Sequence, residues 1–184
     1  MLAAECVCAM LLAEHSVLRQ TLSTMADIVR DEQWHSRSSQ VGRLATLIEF
    51  VHEFETMHRA KEDDFLWPAL RGRCPHVDSG LRALAIARRQ GDDRLDDIRH
   101  ALAAVADGDP AAPRALDDAL RRYRETALST CDEEARLLEP ARRLLDETQW
   151  PAIASALSKV AYPRGALYER APLSRRERQP VVMH

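Results

Sequence analysis

Apolar residues recur at alternating three- and four-residue spacing through Leu11, Leu18, Leu22, Met25 and Val29, and His15 falls inside that stripe. The pattern predicts an amphipathic first helix that carries His15 on its core face. The polar stretch from Asp31 to Gln40 breaks the period and reads as a loop. From about Val41 to Arg71 the period returns, with Leu44, Leu47, Val51, Phe54, Phe65 and Ala69 on one face and both His58 and Glu62 on that same face. A third helix, roughly Gly80 to Asp107, is expected to begin behind the N-cap pair Asp78-Ser79. Its inward row reads Leu84, Ala87, Gly91, Leu95, Ile98, Leu102 and Val105, and Asp107-Gly108-Asp109-Pro110 ends it. The fourth helix, near Pro113 to Asp146, has the clearest period, running through Leu116, Leu120, Tyr123, Ala127, Thr130, Glu134, Leu137, Ala141 and Leu144. Pro68 and Pro140 occupy matching points of the second and fourth helices and predict a bend in each. A short helix from about Gln149 to Val160 should cap one end through Trp150, Ile153 and Leu157.

These elements predict an all-α fold: an up-down-up-down four-helix bundle with a short C-terminal helix over residues 1–161, then a basic, flexible tail over residues 162–184. The 184 residues are 46% hydrophobic and 30% charged with only six glycines, which suits a helical domain with a real core. The net charge is −3, yet the tail holds Arg164, Arg170, Arg175, Arg176 and Arg178 against two glutamates, so the bundle itself is more acidic than the whole. That sign argues against nucleic acid as a partner. Met1 to Ala13 is apolar but carries Glu5, lacks a basic start and runs into a patterned helix, so neither a signal peptide nor a membrane span is expected. Cys6, Cys8, Cys74 and Cys131 make no CxxC pair and no disulfide framework, which points to a cytoplasmic protein with reduced thiols.

The chain also repeats itself. The segment from His58 to Leu70 reappears from Thr130 to Arg142 with the glutamate (Glu62, Glu134), the leucine (Leu66, Leu138) and the Pro-Ala pair in register, while the histidine has become Thr130. A second correspondence joins Glu14-His15-Ser16-Val17-Leu18-Arg19 to Arg89-Gln90-Gly91-Asp92-Asp93-Arg94, and Gln90 stands where the first copy has His15. Two helical hairpins related by an approximate two-fold axis follow, each bringing a glutamate into a shared core. His58 and Glu62, four residues apart, project side by side from one face. Two carboxylates in one core require protons, a cationic side chain or a metal ion. A divalent ion with imidazole from His15 and His58 meets that need, and so does a guanidinium from Arg19, Arg59, Arg89 or Arg94.

The segments Leu12-Ala13-Glu14-His15-Ser16-Val17-Leu18-Arg19, Leu47-Ile48-Glu49-Phe50-Val51 and His58-Arg59-Ala60-Lys61-Glu62 with Trp67-Pro68 resemble the hemerythrin-like, or HHE cation-binding, domains over about Leu11 to Trp150. In that family two irons share two bridging glutamates, and the resemblance implies His15, His58, Glu62 and Glu134 as metal ligands here. It also implies that Gln90 and Thr130 replace the histidines of the second half-site. Gln and Thr oxygens are poor donors for iron, so the expectation is a mononuclear 2-His-2-carboxylate non-haem site with one iron per chain; manganese and zinc accept the same ligand types. Such a site binds or reacts with O2, peroxide or NO in sensing, scavenging or oxidative chemistry. Two other readings stand beside it. One is a metal-free interaction or regulatory module whose Arg-rich tail contacts a protein partner, and the other is an enzyme that uses the vacated iron position near Gln90, Gly91 and Thr130 as a pocket. Cys131 and Tyr123 read as core residues of the fourth helix, and His35, His52, His76, His100 and His184 as surface residues.

Overall fold

The computed structural model describes residues 2–160. The tail expected over 162–184 lies outside the described residues. Helix α1 (Leu2–Val29) is joined through a 3-10 turn at Trp34–Ser36 to α2 (Ser38–Lys61). A π-helical segment, Glu62–Leu66, leads into the short α3 (Trp67–Leu70). Two long helices follow, α4 (Pro75–Ala106) and α5 (Ala112–Leu144), and α6 (Gln149–Leu157) completes the order. The chain is an all-helical bundle of four long helices, and among the described residues no strand is present. Among the described residues no helix is long and apolar enough to cross a membrane.

Helix α2 begins at Ser38, inside the stretch expected as a loop, and two larger differences from the sequence expectation follow. Helix α4 begins at Pro75, which fits a first turn because its missing N–H would be unpaired there anyway. Asp78 does not cap that helix; its Oδ1 accepts the backbone N–H of Gly72 at 2.9 Å and closes the preceding turn, where Gly72 adopts φ of +77°. The second difference concerns the prolines. Helix α5 runs through Pro140 without a break, whereas the chain before Pro68 widens into the π segment, in which the Trp67 N–H reaches back five residues to the Glu62 carbonyl. The extra residue in that turn accommodates the proline ring and rotates Glu62 and its neighbours relative to a plain α-helix. At the other end, Gly108 (φ +82°) closes α4 in a Schellman arrangement, with Gly108 N–H to Val105 O and Asp109 N–H to Ala104 O.

The core is split into two apolar clusters. One gathers Leu18 to Ile28 of α1, Leu44 to Met57 of α2, Leu95 to Val105 of α4 and Leu116 to Cys131 of α5. The other gathers Ala4 to Leu11, Leu66 to Leu70, Val77 and Leu84, Leu137 to Leu145, and Trp150, Ile153 and Leu157 of α6. Every long helix passes between the two clusters at the same level, and there it carries polar residues: Glu14 and His15, then His58, Lys61 and Glu62, then Arg88, then Glu134, all buried. Leucine at any of these positions would have added roughly 1.5–3 kcal/mol of apolar burial, and burying ionisable groups instead is costly unless they are paired. The layer is therefore a built site inside an otherwise apolar bundle.

Candidate metal centre

The inward face of α1 delivers Glu14 and His15, one to each flank. Nε2 of His15 lies 3.0 Å from Oε2 of Glu134 on α5 and 3.2 Å from Nε2 of His58 on α2. Nε2 of His58 is in turn 3.7 Å from Oε1 of Glu62 and 3.7 Å from Oε2 of Glu134. One donor atom from each of His15, His58, Glu62 and Glu134 fits within 4.8 Å of all the others. Donors that share an ion at about 2.1 Å stand roughly 3.0–3.4 Å apart, so this spacing suits a cation held among them. Oε1 of Glu62 supports the fit: it is fully buried and receives no hydrogen bond among the described residues, which is costly for a polar atom in an interior.

The outer oxygens of the same glutamates are occupied. The Arg88 Nη2 bonds Oε2 of Glu62 and, at 2.7 Å, Oε1 of Glu134; Nε adds a 3.1 Å contact to that Glu134 oxygen, and Nη1 reaches Asp63 at 2.7 Å. Each carboxylate is thereby divided, with one oxygen on the guanidinium and the other turned to the imidazoles. This corrects the sequence reading of the second half-site. Gln90 is exposed, and Arg88 is the α4 side chain that enters. The buried row of α4 is Leu84, Arg88, Gly91, Leu95 and Ile98, so the spacing runs through Arg88 rather than Ala87. The four arginines expected as candidates are engaged elsewhere or exposed: Arg19 pairs with Asp132, Arg59 with Glu55 and Asp92, Arg94 with the Arg122 carbonyl, and Arg89 faces solvent.

Electrostatics reflect the division. Burial, and then the neighbouring Glu134 charge, push the Glu62 carboxyl up to about 8 in spite of His58 and Arg88. Burial acts on Glu134 in the same direction, but His15, His58 and Arg88 outweigh it and hold Glu134 below the usual carboxylate range. His58 resists its own burial because Glu134 and Glu14 favour the imidazolium, and its value is raised to about 10. Arg88 is held more firmly charged than usual by Glu62 and Glu134, against the effect of burial. Beside the imidazoles, a cavity of about 20 Å³ is lined in part by Gly91, Tyr123, Thr130 and Cys131, room for about one water molecule. Burial raises the Cys131 thiol to about 12, which suits a core residue rather than a thiolate ligand. His35, His52, His76 and His100 are exposed.

Sequence reasoning passed over Glu14, Lys61 and Arg88. Glu14 and Lys61 lie inside the quoted motifs, and Arg88 was findable from the alternation of four and three between Leu84 and Ile98. No curated protein and no solved structure matches the chain significantly. A family model described as the hemerythrin HHE cation-binding domain matches residues 7–150, which takes in all four long helices and every side chain of the buried polar layer. The chain belongs to the hemerythrin HHE cation-binding domain family.

Proposed function

We propose that this protein is a mononuclear non-haem iron protein of the cytoplasm, where its four free cysteines stay reduced, and that it binds or reacts with O2, peroxide or NO. The observation that carries the reading is the division of the two carboxylates. In the inner position His15, His58, Glu62 Oε1 and Glu134 Oε2 make a 2-His-2-carboxylate donor set for one divalent ion. In the outer position the Arg88 guanidinium already supplies a positive charge where a second ion would sit. When bound, the iron supplies a Lewis-acidic, redox-active centre with coordination positions left for a small molecule. Around it the chain does the rest. Glu62 and Glu134 balance charge, Arg88 fixes the orientation of both carboxylates, and the apolar clusters above and below exclude bulk water. Manganese or zinc would be held by the same atoms.

The cavity limits what can react. At about 20 Å³ it suits a molecule of one or two heavy atoms, whereas sites for organic substrates measure roughly 300–1,000 Å³. This favours a diatomic or peroxide ligand over a pocket for a larger substrate. Metal analysis of the full-length chain after reconstitution with ferrous iron tests the reading. About one iron per chain, lost in His58→Ala with an affinity drop of about 100-fold or more, supports it. Two irons per chain would contradict the role given to Arg88, and none in the parent chain would favour a metal-free regulatory module held together by Arg88.

A further inference from the structure

The Glu-His and His-x-x-Lys-Glu segments each hold a charged residue that the four donors leave unused. Glu14 and Lys61 are 3% and 1% exposed; after Glu62, Lys61 is the most deeply buried charge of the layer, and Glu14 is as deeply buried as Glu134. Oε2 of Glu14 lies 2.7 Å from Nδ1 of His58, and Oε1 of Glu14 is bonded to Nζ of Lys61. The three side chains come from two helices and form one chain of contacts ending on the imidazole that faces the metal position.

Stability does not account for this pair. Desolvating a lysine and a glutamate together offsets most of their attraction, and apolar side chains of like volume serve a core as well or better. The geometry accounts for it through His58. An imidazole has two nitrogens, and the partner of one decides which carries the proton. A carboxylate on Nδ1 holds a proton there, so Nε2, aimed at the point shared by His15, Glu62 and Glu134, is the nitrogen open to an ion. The same contact fixes the ring plane and enriches the donor nitrogen. Lys61 bonds the other oxygen of Glu14 and so fixes the carboxyl group that holds the ring.

We infer that Glu14 and Lys61 are a positioning pair that presents His58 to the ion through Nε2, Glu14 directly and Lys61 through Glu14. The inference rests on the metal-centre reading above. Its test is a zinc titration of the full-length chain against a competing chelator, comparing the parent with the double variant Glu14→Gln/Lys61→Met, which removes both charges together and nearly conserves volume. Zinc affinity is expected to fall 10–100-fold in the double variant, while the melting midpoint of the metal-free protein stays level or rises. A merely structural pair predicts the reverse: lower melting and unchanged affinity. Should the double variant fail to fold, nitrogen-15 spectra of the histidines in the zinc-loaded parent decide instead, with the proton expected on Nδ1 of His58 and zinc on Nε2; coordination through Nδ1 overturns the inference. A parent chain that binds neither zinc nor ferrous iron overturns the metal-centre reading and this one with it. Equal zinc affinity in parent and double variant overturns the pairing alone.

Discussion

The two hairpins face the same pair of carboxylates with different equipment. From the first hairpin come His15 and His58, with Glu14 and Lys61 behind them; from the second come Arg88, Gly91 and Thr130. In the first, two imidazoles gather around a point with a buried carboxyl oxygen, Oε1 of Glu62, that receives no hydrogen bond among the described residues. In the second, a guanidinium attached to α4 already occupies the outer oxygens. On the reading proposed above, one position would take a cation that comes and goes, and the other holds a guanidinium that cannot leave. The two buried glutamates thus share one fixed positive charge, the Arg88 guanidinium, on the side where the second hairpin brings no histidine.

The sharpest way to break this asymmetry is Arg88→Met. It keeps approximate volume and removes the charge, leaving Glu62 and Glu134 to repel each other in the core. Metal-free stability should fall by about 3–5 kcal/mol, the usual result of removing one partner of a buried ion pair, read from the denaturant midpoint. The loss should depend on pH. Glu62 has a folded-state value of about 8 against an unfolded value of 4.5. Its protonation therefore stabilises the folded state fully below about pH 4.5, and this contribution fades as pH rises through 8. Without Arg88 the folded value climbs further, so the variant should suffer less at pH 5 than at pH 8. Equal loss at both would mean that the two carboxylates do not feel each other.

The reverse construction sharpens the comparison. Placing histidines in the second half-site with Arg88→His/Thr130→His should raise bound metal from one ion per chain toward two, measured by metal analysis after reconstitution. Thr130 lines the cavity beside the site and Arg88 enters from α4, so both new imidazoles would arise next to the shared carboxylates. A stoichiometry that stays at one would show that more than the donor set was lost from that half.

How much of this was legible beforehand depended on what each residue leaves in the pattern. His15, His58, Glu62 and Glu134 could be placed on inward faces because each interrupts a run of apolar residues at helical spacing, and the near-repeat of Glu62 and Glu134 put the two carboxylates at one level. Helices α5 and α6 came out close to their expected limits for the same reason, at Ala112–Leu144 and Gln149–Leu157. Arg88 was hidden by a choice of register: the expected inward row ran through Ala87, one position before it. Local sequence says little about a long side chain that crosses to carboxylates on two other helices. The π segment was hidden too, since Pro68 and Pro140 carry the same local signal, yet only the turn before Pro68 widened.

Gly91 separates the two halves most finely. It lies on the buried row of α4 beside the cavity, and a methyl group there would come 3.7 Å from Nη2 of Arg59, an ordinary contact. If the glycine only costs helix stability, Gly91→Ala should raise metal-free stability by about 0.5–1 kcal/mol, with no clash to offset the gain. The same methyl stands at the wall of a space for about one water molecule, so the substitution trades stability against room for a ligand. Iron content should stay at one per chain, because the inner donors are untouched. The rate of nitric oxide binding to the ferrous form, followed by its absorbance, should fall. An unchanged rate beside the expected gain in stability would place the ligand on the other side of the ion, away from the vacated half-site.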